Sequence, residues 1–183
     1  MKKIIISAAF VAFLSSAAAA QKYFTKNGTI SFFSATSLEN IKADNNQVMS
    51  VLNVTTGDLQ FSVLVKSFHF KKALMEEHFN ENYMESDKFP KSTFKGTITD
   101  ISKVNFAKDG TYPVSVSGDL TMHGATQKVT TNGNISVSGG KITGTSVFKV
   151  ALADYKISVP KVVENNISKT IEITINCLYD QKM

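Results

Sequence analysis

The sequence predicts an all-β fold: a closed antiparallel barrel of about eight strands with one helical insert. Three observations carry that expectation. Short runs alternate apolar and polar residues, as strands with one buried face do; Leu59, Phe61, Val63 and Val65 set against Gln60, Ser62, Leu64 and Lys66 is the clearest case. Turn residues punctuate these runs at Asp44-Asn45-Asn46, Thr56-Gly57-Asp58, Asp109-Gly110, His123-Gly124 and Ser138-Gly139-Gly140-Lys141. Only residues 68–94 abandon the period of two for a helical one. A sandwich would share this pattern, but long strands with large residues on one face favour a barrel.

Met1-Lys2-Lys3 is positive, residues 4–14 are an apolar run broken only by Ser7, and residues 15–20 are small and end in Ala-x-Ala. This is the pattern of a secretory signal peptide over residues 1–20, cleaved before Gln21. Its apolar core, about a dozen residues, is short of the roughly 20 that a spanning helix needs. The remainder, residues 21–183, suffices for one domain with a substantial core. Gln21 stands where a lipid-anchored form would need a cysteine. The expectation is a periplasmic or secreted protein, and the compact leader with two lysines points to a bacterium. Those lysines belong to a formal net charge of +5, and the rest of the charge forms no basic block. Nucleic acid is therefore excluded as a partner, since tracking phosphates needs a clustered cationic face.

Along the mature chain, Ile30, Phe32 and Ser34 alternate after an expected turn at Asn27-Gly28, and residues 48–54 form a strand after the reversal at Asp44-Asn45-Asn46. The strand of Phe61 and Val63 then leads into the insert. There Leu74, Met75, His78, Phe79, Asn82 and Tyr83 fall along one side of a helix, and Pro90 ends it by forcing Phe89 out of the α region. An amphipathic helix among strands is expected to cover one opening of the barrel. Beyond it, Phe94 and Ile98, then Val114, Val116 and Leu120, then Val129 and Ile135, then Phe148 and Val150, then Ile171, Ile175 and Cys177 mark the inward faces of the remaining strands. Gly96, Gly118, Gly133 and Gly144 also fall on those faces, where a missing side chain serves either a bend or interior space.

Little in the chain points to catalysis. His69, His78 and His123 show no metal-ligand spacing, and the single cysteine, Cys177, reads as a buried free thiol. There is no Gly-x-Ser-x-Gly elbow, and Glu76-Glu77 lies around a helix surface. No catalytic residue, metal site, cofactor or enzymatic activity is expected. An outer-membrane barrel would place Lys66, Lys95 and Lys149 in its lipid-facing girdle, so no integral membrane insertion is expected.

Several motifs keep a recognisable order: GDLQFSVLVKSFHF, LMEEHFNENYMESDKFPKSTFKGTI, GDLTMHGATQKV and DYKISVP. In these His78 and Tyr83, Phe89-Pro90, Phe94, Gly96, His123-Gly124, Asp154-Tyr155 and Pro160 make the sequence resemble the YceI-like family of exported bacterial proteins. The resemblance implies an extended lipocalin-like eight-stranded barrel with a helical insert, binding polyisoprenoid or similar lipid tails without a metal. Two departures stand out: the chain has no tryptophan where the family often opens with Trp-x-x-Asp, and its corner reads His123-Gly124-Ala125-Thr126-Gln127-Lys128.

The expected function is non-enzymatic carriage of a long-chain lipid, polyisoprenoid or fatty-acyl. Phe61, Val63, Val65, Phe94, Ile98, Val116, Phe148 and Val150 would line the cavity, with His78 and Tyr83 near its mouth. The alternative is a secreted structural or stress-associated barrel filled by its own side chains. Which lipid is held, and whether the barrel forms a homodimer, are left open by the sequence.

Overall fold

The computed structural model describes residues 21–183, so the leader expected over residues 1–20 lies outside the described residues. Ten strands and a short helix follow in order: β1 (Lys22–Ala35), β2 (Asn40–Asn53), β3 (Asp58–Leu64), β4 (His69–Phe70), α1 (Ala73–His78), β5 (Lys91–Ile98), β6 (Gly110–Met122), β7 (Ala125–Ser138), β8 (Lys141–Ala151), β9 (Thr170–Tyr179) and β10 (Gln181–Lys182). Eight of the strands close an antiparallel barrel in the order β1-β2-β3-β5-β6-β7-β8-β9, with β9 returning to β1. The two-residue strands β4 and β10 are add-ons to β2 and β1.

Two expected turns are corrected. Asn27-Gly28 is a bulge inside β1, where the register to β2 shifts. Glycine is required there because a Cβ would stand 2.5 Å from the Cys177 sulfur. Asp44-Asn45-Asn46 lies within β2, because fully buried Asn45 takes up the local irregularity itself. Its Oδ1 accepts from the Gln47 amide at 2.9 Å and its Nδ2 donates to the Leu64 carbonyl at 3.0 Å. The chain reverses earlier, where the Thr36 hydroxyl oxygen accepts from the Glu39 amide at 3.0 Å. His123 and Gly124, with φ of 50° and 71°, make the tight β6–β7 turn; positive φ at both central residues suits the strand twist.

The core is packed most densely at one end of the barrel. Leu52, Leu59, Ile98, Val114, Ile135, Val137, Ile142 and Tyr179 form that plug, joined by Ile101 and Phe106 from the β5–β6 connection. Ser50 Oγ donates to the Gln60 carbonyl at 2.9 Å, which leaves its oxygen to accept the Tyr179 hydroxyl at 2.8 Å. One buried polar pair is thus satisfied without water. A second cluster at the opposite end holds Val65, Met84, Ala125, Tyr155, Ile157 and Ile171. The helical insert crosses this second end.

Candidate functional site: an apolar cavity under an aromatic cap

Between the two clusters lies a half-enclosed cavity of about 380 Å³, lined almost wholly by apolar side chains. Its size follows from what fills the inward positions of β5 to β8. Gly96 and Gly118 face each other across β5 and β6, and the Phe94 ring lies over both, so a Cβ at Gly96 would stand 2.6 Å from that ring. These two glycines permit close approach. Gly133 and Gly144 line the cavity itself; a Cβ at Gly133 would stand 2.6 Å from the Thr145 carbonyl oxygen, so it too permits close approach, whereas one at Gly144 would meet nothing nearer than the Tyr179 ring, at 3.4 Å.

The cap is built from rings. Phe32 of β1 meets Phe68, Phe70 and Phe79 with centroid separations of 5.5, 5.5 and 5.4 Å. Phe79 also meets Phe68 at 5.7 Å and Phe70 at 5.1 Å. The insert is therefore fastened to β1 by aromatic packing rather than by a long helix. α1 spans only Ala73–His78 and widens into a π-helical turn over Phe79–Tyr83, where the Met84 amide reaches back to the Phe79 carbonyl at 2.9 Å. That wider turn rephases the helix. Met75, His78, Phe79, Tyr83 and Met84 reach the cavity, whereas Leu74 is 60% exposed and Asn82 also points to solvent.

Of the residues expected at the site, Phe61, Val63, His78, Tyr83, Phe94, Ile98, Val116, Phe148 and Val150 line this one cavity. Val65 does not. β3 ends at Leu64 and a 3₁₀ turn covers Val65–Ser67; Val65 stays inward and buried, but packs into the cluster with Met84 and Tyr155. Phe61 and Phe94 pair edge to face at 6.2 Å in the wall. Partial burial raises the Tyr83 phenol above its ordinary range, so it stays a neutral hydrogen-bonding group at the mouth. Glu39, Ile41, Val163 and Asn166 were not foreseen at the rim. Ile41 is the second residue of β2, while Glu39, Val163 and Asn166 come from the β1–β2 and β8–β9 connections, which have no alternation to read. There Glu39 accepts from Lys72 and from Asn166, each at 3.3 Å, tying three rim segments together.

Below the rim, His123 joins three more. Its Nδ1 stands 3.0 Å from the Tyr155 carbonyl and its Nε2 stands 2.7 Å from the Glu85 carboxylate. Phe89 packs edge-on to the His123 ring at 4.9 Å and covers Gly124, where a Cβ would stand 2.6 Å from it. His123 is thus a structural tie between the β6–β7 corner, the insert and the segment after β8. His69 is an exposed partner of Glu76 at 3.5 Å. Cys177 is fully buried and its thiol is pushed up to about 12 by that burial, the opposite of an activated nucleophile.

The YceI-like domain family matches residues 9–178 of the chain. The chain belongs to the YceI-like family. This YceI-like barrel is similar to a polyisoprenoid binding domain from Saccharophagus degradans implicated in plant cell wall breakdown, at 16% identity and a TM-score of 0.75, over 87% of this chain and 97% of that one. It is also similar to BcnA from Burkholderia cenocepacia, at 13% identity and a TM-score of 0.65, over 82% and 95% of the two chains. A Campylobacter jejuni YceI protein aligns over 100% of both chains at 14% identity and a TM-score of 0.56. At such identities the likeness is one of fold. No curated protein sequence matches the chain.

Proposed function

We propose that this YceI-like barrel is a non-enzymatic carrier in the periplasm or outside the cell, holding the tail of a long-chain lipid of polyisoprenoid or fatty-acyl type. The observation that carries the reading is the apolar cavity of about 380 Å³ under its aromatic cap, since a barrel serving only as structure would fill that space with its own side chains. Burial of a tail supplies the affinity: about 0.8 kcal/mol per methylene gives roughly 12 kcal/mol for about fifteen carbons, enough for micromolar binding after an association cost of about 4 kcal/mol. The description of the Saccharophagus domain as polyisoprenoid binding supports the same ligand class. A carrier role is further supported by the engaged ring nitrogens of His123 and the suppressed ionisation of Cys177, which leave both unsuited to act as base or nucleophile. Exposed Lys66, Lys95 and Lys149 on the outer wall favour a barrel in water over one in lipid.

Titration with fluorescent polyprenyl and fatty-acyl probes tests the proposal. Saturable micromolar uptake by the wild type, lost in Val63→Lys with the β-sheet signal retained, is expected. No uptake by the folded wild type would overturn it.

A further inference from the structure

The eight ladders are not equally complete. β7 and β8 pair only from Gly133 opposite Ser146 to the hairpin at Ser138 and Lys141. Residues 128–132 of β7 and 147–151 of β8 have no backbone pairing to each other, although β7 stays paired to β6 and β8 to β9. At about 3.3 Å per residue this slit runs roughly 13 Å along the wall. Its two ends are sewn by side chains. At one end the Ser146 hydroxyl donates to the Asn132 carbonyl at 2.7 Å, taking the place of a ladder amide; at the other, Gln127 Nε2 donates to the Asp154 carbonyl at 2.8 Å. Other incomplete stretches of the wall are covered. Asn45 bridges β2 to Leu64, and the Asp100 carboxylate accepts from the Ser115 amide at 2.9 Å beside β6.

The borders of the slit belong to the cavity. Val129 and Thr131 on one side and Phe148 and Val150 on the other line it, while Val147, next to Phe148, is 56% exposed on the outer surface. Backbone groups on unpaired strand edges need water or another partner, so the slit is a place where the wall yields easily. The rim, by contrast, is held by the ring cluster and the Glu39 ties.

We propose that the slit between residues 128–132 of β7 and 147–151 of β8 is a lateral portal through which the hydrocarbon tail of the ligand slides into the cavity. This rests on the carrier reading above. A chain-like ligand suits such a geometry, because it can pass edgewise between two strands without unfastening the cap.

Clamping tests it. Thr130 and Lys149 are exposed and would face each other if the β7–β8 register continued. Thr130→Cys/Lys149→Cys would be bridged by a short reducible bis-thiosulfonate, with Lys128→Cys/Ala151→Cys as a second position; buried Cys177 stays in place. Glu39→Cys/Lys72→Cys clamps the rim in the same way. The readout is the loading rate of a fluorescent polyprenyl probe in stopped flow, together with its equilibrium affinity. The portal predicts at least about tenfold slower loading with the slit clamped, affinity within twofold, recovery on reduction, and little change with the rim clamped. Probe binding with unaltered loading in both slit-clamped variants would overturn the portal and leave the carrier reading standing. Absence of binding to the unclamped protein would overturn the carrier reading, and the portal with it.

Discussion

Replacing Phe32 by alanine should unfasten the insert while leaving the barrel folded. Phe32 makes three ring contacts, with Phe68, Phe70 and Phe79, and the Phe68–Phe79 and Phe70–Phe79 pairs remain after its loss. At about 0.5–1.5 kcal/mol per aromatic pair, and with contacts that share a partner adding incompletely, the loss to local closure is roughly 2–3 kcal/mol. That corresponds to about a 30- to 150-fold rise in the open population of the insert. Hydrogen exchange reads it directly. The amides of Met84 and Ser86, bonded to the Phe79 and Asn80 carbonyls at 2.9 and 2.8 Å, should exchange faster by that factor. Amides in the β8–β9 ladder should change only by the global loss of stability. Phe32→Leu, which keeps bulk but no ring, should fall between. Unchanged protection of Met84 and Ser86 in Phe32→Ala would refute the idea that ring packing holds the cap.

Three further outcomes follow from the same geometry. Gly124→Ala places a Cβ against Phe89 at a residue with φ of 71°, and should cost about 1–3 kcal/mol in denaturant melts, whereas Gly139→Ala, where no atom lies within 4 Å of the new Cβ, should cost only the backbone strain of about 1–2 kcal/mol. Cys177 should resist thiol reagents until the protein unfolds. Because its folded-state ionisation is raised from 9.0 to about 12, the folded protein keeps a proton that the unfolded chain loses. Stability is therefore full below about pH 9 and falls by up to about 1.4 kcal/mol per pH unit as pH climbs toward 12. Burial raises Tyr179 as well, which steepens the fall above its ordinary value of 10.0, and Cys177→Ala should show the shallower slope in alkaline melts. Val63→Lys sets an ammonium in an apolar wall where Val63 is 6% exposed, and should abolish probe binding while keeping strand content by circular dichroism.

Much of the barrel was legible because alternation is a local signal. Leu59, Phe61 and Val63 share the inner face, and the His123-Gly124 and Gly139-Gly140 corners fall where positive φ is needed. Errors arose where a residue had two physical uses. Asn27-Gly28 and Asn45 carry turn chemistry, yet Gly28 makes room for Cys177 and Asn45 satisfies the strand from its side chain. Val65 faces inward as its alternation implies, but beyond the end of β3 it packs into the second cluster rather than the cavity wall, and Met84 gave no signal because the π-helical turn shifts the phase. The slit beside β8 had no signal at all. It depends on how far the β7–β8 register runs, and alternation on a single strand says nothing about where its neighbour departs.

The central claim is that the cavity holds a lipid tail, and native mass spectrometry of the protein, purified without detergent, tests it most directly. The account predicts a near-stoichiometric adduct that organic extraction releases as a hydrocarbon-rich lipid and that Val63→Lys lacks. A clean apo mass for the wild type, with no uptake of polyprenyl or fatty-acyl probes, would contradict it.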